Sequence, residues 1–238
     1  MSKGQTEALV QEQIAYCRAR AGEYDEWFLR QGRYDRGPEL NRQWFEEVVE
    51  VEAALAAFAP TGRVLELAGG TGLWTQRLLP FAEEVTVVDA SAEALALSRV
   101  RLGEAPIRFV EANVFDWHPE GAYDAVFFSF WLSHVPPERF EAFWQLVRSC
   151  LAPQGRVFFL DSLYEPASTA TDHWLADPGA STTKRRLNDG REFEIIKVFY
   201  PPERLAVRLA MLGWRATVRA TTRFFLYGAV SKNNYVNT

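Results

Sequence analysis

The run VLELAGGTGLWT, residues 64–75, sets a carboxylate, Glu66, just ahead of Gly69, Gly70 and Gly72. Glycines after an apolar run allow positive φ and let a ligand come close to the main chain. Further on, VTVVD ends in Asp89, followed by Ala90, and IRFVEANVF delivers Asn113 with Val114 and Phe115. A carboxylate at Asp89 suits two ribose hydroxyls, and an amide beside apolar side chains suits the edge and face of adenine. The glycines are not followed by the lysine of a phosphate-binding loop. The chemistry these spacings serve is therefore recognition of an adenosyl ligand without phosphates.

Such residues must be delivered by strands, and the chain supplies them. Short apolar runs alternate with helical stretches: RVLEL (63–67), a helix near 74–79, VTVVD (85–89), a helix over 92–102, and IRFVE (107–111). YDAVFFSF (123–130), a helix over 137–151 and RVFFLDS (156–162) continue the pattern. Alternation of this kind predicts an α/β fold, a doubly wound sheet with parallel βαβ crossovers. The continuous apolar runs VFFSF and VFFL fit strands covered on both faces. In these sheets ligands bind beyond the carboxyl ends of the strands, where the candidate residues fall. Ahead of the sheet the spacing predicts one helix over 5–31 and another over 39–58. Behind it lie a polar insertion over 163–190, a strand in REFEIIKVFY, a helix in PPERLAVRLAMLGW and a terminal hairpin in ATVRATTRFFLYGAV.

A net charge of -5 argues against a protein that tracks a nucleic-acid backbone. His118, His134 and His173 form no zinc spacing, and Cys17 and Cys150 read as small buried hydrophobes in a reduced, cytoplasmic protein. The amino terminus lacks the apolar core of a signal peptide, and no segment reaches the ~20 apolar residues of a membrane helix. A soluble monomer or homodimer acting on a small molecule is expected, with no membrane or nucleic-acid partner.

Taken in order, these motifs resemble the class I S-adenosylmethionine-dependent methyltransferases. The family's acidic residue and glycines appear as E-L-A-G-G-T-G, with Ala68 where the family usually has its first glycine. Its ribose acid falls on Asp89, its adenine position on Asn113, where aspartate is commoner, and its fourth-strand motif on YDAVFFSFWLSHV. A nicotinamide-dinucleotide dehydrogenase would instead place G-x-G-x-x-G directly at the turn. The resemblance implies a Rossmann-like, seven-stranded, mostly parallel sheet with an antiparallel C-terminal strand. It also implies S-adenosyl-L-methionine as donor, S-adenosyl-L-homocysteine as product and no metal. Donor contacts are expected at Glu66, Ala68, Gly69, Gly70, Gly72, Trp74, Asp89, Ala90, Asn113, Val114, Phe115 and Ser129, with Tyr16 and Arg18 folding over from the amino-terminal helix. The 238 residues then divide into a helical cap (1–58), a donor-binding core (60–162), an acceptor lid with an extra strand (163–200) and a terminal helix and hairpin (201–238) of one domain.

A narrower resemblance covers nearly the whole chain. YCRARAGEYD at 16–25, FDW at 115–117, DAVFF followed by WLSHVP, RFEAFW, and RRLNDGREFEIIKVF at 185–199 are similar to the phosphonate O-methyltransferases of antibiotic biosynthesis. The resemblance implies a small anionic acceptor, a phosphonate or a carboxylate. Acid-binding residues then fall on Arg185 and Lys197, Tyr24 helps to hold the acceptor, and His134 stands near the reacting oxygen. Read only as residues, Lys184, Arg185 and Arg186 are a charge run in a polar loop, Lys197 is the solvent face of a strand, and His134 caps a helix. Two other functions compete. One is N-, C- or hydroxyl-O-methylation of an aromatic acceptor against Phe130, Trp131 and Trp174 with His134 as general base; the other is a non-catalytic donor-binding protein.

Overall fold

The computed structural model describes residues 2–173 and 175–233. Helix α1 (Lys3–Arg20) starts from a reciprocal cap in which Ser2 accepts from the Gln5 N–H and the Gln5 side chain accepts from Ser2. The single helix expected over 5–31 is broken: Ala21–Glu23 is a 3-10 turn, and α2 covers only Tyr24–Phe28. Gly22 lies in that break, where a residue of low helix propensity lets the axis bend. Helix α3 (Pro38–Phe58) begins on a proline, whose missing N–H costs nothing in a first turn.

The strands of the main sheet are β1 (Gly62–Leu67), β2 (Ala82–Asp89), β3 (Ile107–Glu111), β4 (Tyr123–Ser129), β5 (Leu151–Ser162), β8 (Trp214–Ala220) and β9 (Phe225–Lys232). Their order is β3-β2-β1-β4-β5-β9-β8. All neighbours are parallel except β9, which runs antiparallel between β5 and β8. The order reverses between β1 and β4, so a crevice opens above their carboxyl ends.

Alternation along the central strands builds two cores. Phe127 and Phe158 face one side of the sheet, packed with Trp44, Trp74 and Phe225, whereas Phe128 and Phe159 face the other, with Phe143, Trp144 and Trp214. Helices α4 (Thr75–Leu78), α5 (Ala92–Leu102), α6 (Phe140–Cys150) and α7 (Pro202–Met211) complete the layers.

The polar insertion is more ordered than its composition indicated. Its end forms β6 (Thr182–Arg186), paired antiparallel with β7 (Glu192–Ile196) in a separate two-stranded sheet. Ile196 packs on Leu9 and Val10 of α1, and Ile195 and Leu187 pack on Tyr16. A two-stranded sheet alone is marginal in water, so this apolar contact with α1 gives the hairpin its support.

Candidate active site

Two adjoining cavities lie above the carboxyl ends of the strands. The larger spans ≈ 930 Å³, partly open to solvent, between the turns after β1 to β4 and the face of α1. Ala68, Gly70, Asp89, Ala90, Asn113, Val114 and Ser129 reach it from the sheet, and Ile14, Tyr16 and Cys17 cover it from α1. The smaller spans ≈ 580 Å³, partly open to solvent, beneath the β6–β7 hairpin, lined by Tyr34, His173, Arg185, Lys197 and Phe199 among others. Tyr16, Arg20, Tyr24, Phe130 and His134 face both.

On the larger side, Asp89 accepts from the Gly70 N–H at 2.9 Å with one oxygen and from the Ser91 N–H at 2.8 Å with the other. Burial raises its pKa, and those backbone bonds oppose the rise. Each oxygen keeps a lone pair for a further donor. The Asn113 amide is fixed locally: its oxygen accepts from the Phe115 N–H at 3.2 Å and its nitrogen donates to Asp116 at 2.6 Å. Gly70 has φ +57, and a Cβ there would project into open space. The walls thus combine a carboxylate with free lone pairs, an oriented amide, apolar side chains and a glycine open to the cavity, with Arg20 as the one cation among the described lining residues. This donor set fits S-adenosylmethionine and lacks the several cations a polyphosphate demands.

Two non-glycine residues hold left-handed backbone at the switch point, Ala68 with φ 55 after β1 and Phe130 with φ 52 after β4. Side chains in that region cost roughly 1–3 kcal/mol and collect at functional sites. Ala68 is therefore a costlier departure than loss of some backbone freedom. Gly69, expected to need positive φ, does not have it; a Cβ there would collide with Val87.

The smaller cavity is ruled by charge. Arg20, Arg185 and Lys197 line it, and no carboxylate does among the described residues. Lys197 lies just past β7 and is buried, against the expectation of a solvent-facing strand position. Its Nζ donates to Ser133 Oγ at 2.8 Å and sits 3.7 Å from Asp161. Burial pulls its pKa to about 8, and Asp161 resists the fall. Arg185 donates to Thr169 Oγ1 at 3.0 Å. It belongs to β6 rather than to a solvated loop, and strand alternation turns it inward while Lys184 and Arg186 turn outward.

His134 stands at the junction in a 3-10 turn, Leu132–His134, rather than as a helix cap. Its Nδ1 is 2.7 Å from the Ile196 carbonyl oxygen. A carbonyl only accepts, so Nδ1 carries the proton and Nε2 keeps its lone pair. Burial, and then the Lys197 charge, hold the imidazole well below its ordinary range. The turn is bolted down by the Ser133 N–H donating to Asp161 at 2.7 Å and by the Val198 N–H donating to the Ser133 carbonyl at 2.8 Å. Gln13 of α1 fastens the same corner, donating to the His134 carbonyl and accepting from the Ile196 N–H, both at 3.1 Å.

Several expected residues stand away from the cavities. Glu66 is fully buried beneath the glycine turn, accepting from Thr75 Oγ1 at 2.6 Å, with its other oxygen unpartnered. Burial pushes its carboxyl up to about 8. Trp74 is core, packed on Phe28 and Phe127. Phe115 packs tilted against Trp131 with ring centroids 5.6 Å apart, and Gly72 abuts Ser98 of α5. Arg18 donates outside the cavity to the Ala90 carbonyl at 3.0 Å. Cys17, expected to be buried, is exposed, while Cys150 is buried. Of the expected aromatic acceptor wall, Phe130 lines both cavities, Trp131 lines the larger, and Trp174 lies outside the described residues.

Arg20, Gln13, Asp161, Ser133 and His173 were not singled out from the sequence. Their signals, one arginine among several on a helix and a carboxylate closing an apolar strand, become specific only when distant segments meet.

The sheet order, the antiparallel β9 and the cavity at the switch point define an S-adenosylmethionine-dependent methyltransferase. The methyltransferase-domain family matches residues 64–155. The chain is 30% identical over 173 residues to the ubiquinone biosynthesis O-methyltransferase of Xanthomonas axonopodis pv. citri, covering 69% of this chain and 68% of that protein. The chain therefore belongs to this family. Among solved structures it is similar to a DhpI-SAM-HEP complex, at 39% identity and TM-score 0.79, covering 97% of this chain and 99% of the other. A DhpI-SAH complex matches at 38% identity and TM-score 0.78, covering 95% and 98%. No helix of the described residues is long and apolar enough to cross a membrane.

Proposed function

We propose that the enzyme methylates an oxygen of a small anionic acceptor, a phosphonate or a carboxylate, held in the smaller cavity. The observation that carries this reading is the convergence of Arg20, Arg185 and Lys197 on one space with no carboxylate among its described lining residues, in a chain whose net charge is -5. Lys197 has Asp161 at 3.7 Å, but Arg20 and Arg185 pair with no carboxylate among the described residues; burying such cations is costly, so the arrangement is explained by an anion that completes it. The likeness to DhpI covers 97% of this chain.

When bound, S-adenosylmethionine supplies a methyl group on a positively charged sulfur, which needs an oxygen nucleophile in line and little else. Asp89 and Asn113 hold the donor's adenosine end, with Ala68, Gly70, Ala90 and Val114 around it. Arg185 and Lys197 take the acceptor's non-reacting oxygens through charge-assisted hydrogen bonds. Tyr24 faces both cavities; burial raises its phenol pKa, so it remains a neutral hydroxyl donor. His134 Nε2, lacking a proton, accepts rather than donates. An acceptor oxygen that arrives ionised needs no base and attacks directly, which leaves Nε2 to accept from a protonated oxygen or hydroxyl elsewhere on the acceptor. The orienting hydrogen-bond donor that a fully ionised acceptor would ask of His134 is not what this tautomer offers. The α1 face and the β6–β7 hairpin exclude water from the transfer.

The test is turnover of S-adenosylmethionine with a panel of alkylphosphonates, short carboxylic acids, phenols and amines, with products detected by mass. Methyl esters of the acids are expected. Turnover of phenols or amines with none of the acids refutes the anionic acceptor.

A further inference from the structure

One charge of the smaller cavity has no task in the chemistry above. Arg20 ends α1 with its guanidinium carbon 5.6, 4.9 and 6.0 Å from the ring centroids of Tyr16, Tyr24 and Tyr34. Its Nε is buried without a hydrogen-bond partner. Ring faces attract a cation but leave its charge uncancelled. Arg33 pairs with Asp172, Arg101 with Asp25 and Arg223 with Glu165, whereas Arg30, over the Trp44 ring, also lacks a carboxylate among the described residues but lines neither cavity. Within the cavity itself, Lys197 has Asp161 at 3.7 Å and Arg185 has only the neutral Thr169 hydroxyl. Two guanidinium charges therefore stand uncompensated beside one lysine–carboxylate pair, and the space between them calls for a ligand with two negative charges.

We propose that Arg20 is the specificity-determining residue that reads the acceptor's second negative charge, separating a dianion from a monoanion of the same shape. The proposal rests on the anionic-acceptor reading. The three tyrosine rings surround the guanidinium where it lines both cavities, and Arg20 comes from α1. Arg185 and Lys197 approach from the hairpin side. Methylation turns an ionised oxygen into an ester oxygen, removing one charge from the acceptor. Arg20 then loses its counter-charge, the ester is held less tightly, and a second methylation of the same group is disfavoured.

Arg20 also faces the larger cavity, so the experiment must separate acceptor recognition from a grip on the donor's carboxylate. Binding of ethylphosphonate and of its monomethyl ester to the protein saturated with S-adenosylhomocysteine is measured by calorimetry for wild type, Arg20→Met and Arg20→Lys. A charge-assisted contact predicts a wild-type preference for the dianion of about 30-fold. In Arg20→Met the preference should shrink to about fivefold or less, with Arg20→Lys between the two, while affinity for S-adenosylhomocysteine changes by less than about threefold. An unchanged preference in Arg20→Met overturns the proposal, as does a loss of S-adenosylhomocysteine affinity with the preference intact. If Arg20→Met does not fold, Arg20→Lys must still narrow the ratio, and a wild-type ratio there overturns the proposal too. A wild-type complex that binds neither anion and methylates only neutral acceptors overturns the acceptor reading and Arg20's role together. Tight anion binding with a ratio insensitive to Arg20 overturns the role of Arg20 alone.

Discussion

The wall of the larger cavity comes mostly from turns that directly follow β1, β2, β3 and β4, each contributing a short run such as Ala68–Gly70 or Asn113–Val114. The smaller cavity is assembled from single residues far apart in sequence: Arg20 from α1, His134 from the turn after β4, Arg185 from β6 and Lys197 from beyond β7. A ligand held by contiguous turns is specified by the sheet, and changing it means changing the sheet's ends. A ligand held by one residue from each of several elements can be exchanged by small shifts among those elements. On the proposed function, the larger, donor cavity is the constrained half and the smaller, acceptor cavity the adaptable half, with Tyr16, Arg20, Tyr24, Phe130 and His134 as their common wall.

The largest effect that checks this division should come from Asp89→Ala. It removes the carboxylate offered to the ribose and frees the Gly70 and Ser91 N–H groups. Affinity for S-adenosylhomocysteine, measured by calorimetry, should fall on the order of 100-fold. Arg185→Met should instead raise the KM for an acid acceptor by about 30-fold and leave donor affinity within about twofold. Equal losses of donor and acceptor binding in both variants would show that the two cavities do not act separately.

A sharper comparison uses pH. Burial, Arg185 and Arg20 push the Lys197 ammonium toward its neutral form, Asp161 opposes them, and the pKa lies at about 8. The cation is present below that pH and lost above it, so the acceptor KM should climb by several-fold between pH 7.5 and about 9. The donor KM should stay flat over the same range. Lys197→Arg keeps its charge throughout, so steady-state kinetics of this variant should show no alkaline climb. A climb that survives the substitution assigns the titration to another group.

The smallest effect concerns what lies under the donor turn. The Glu66 carboxyl is held at about 8 in the fold against an ordinary value of 4.5. A raised pKa contributes stability that is whole below the unfolded value and is lost as pH rises through the folded one. Glu66→Gln, which does not titrate, should therefore raise the Tm of the ligand-free protein by roughly 5 °C at pH 8.5 and by much less at pH 5. Equal shifts at both pH values would place the effect in packing rather than ionisation.

The legibility of the site followed the same division. Ala68, Gly70, Asp89, Ala90, Asn113, Val114 and Ser129 reach one cavity, as their places at strand ends implied. Misplacements came where sequence distance hides contact. Glu66 sits in the alternation of β1 and points beneath the turn instead of into the cavity. Lys197 looked like a solvent-facing strand residue, yet β7 ends at Ile196 and the next residue turns inward to Ser133 and Asp161. The polar insertion hid β6 because half of a two-stranded hairpin carries little hydrophobic periodicity; α1 supplies the apolar face it needs.

Local order of residues determined the donor fold: apolar runs of strand length, helices between them and polar groups at their ends leave a doubly wound sheet as the consistent arrangement. Only tertiary structure decided the acceptor side. Whether Arg185 and Lys197 are solvated or enclosed, which nitrogen of His134 bears the proton, and whether Arg20 faces a carboxylate or three rings all depend on what distant segments bring to them. The physical reason is that backbone periodicity is fixed by neighbours in sequence, whereas the charge and hydrogen-bond state of a side chain is fixed by neighbours in space.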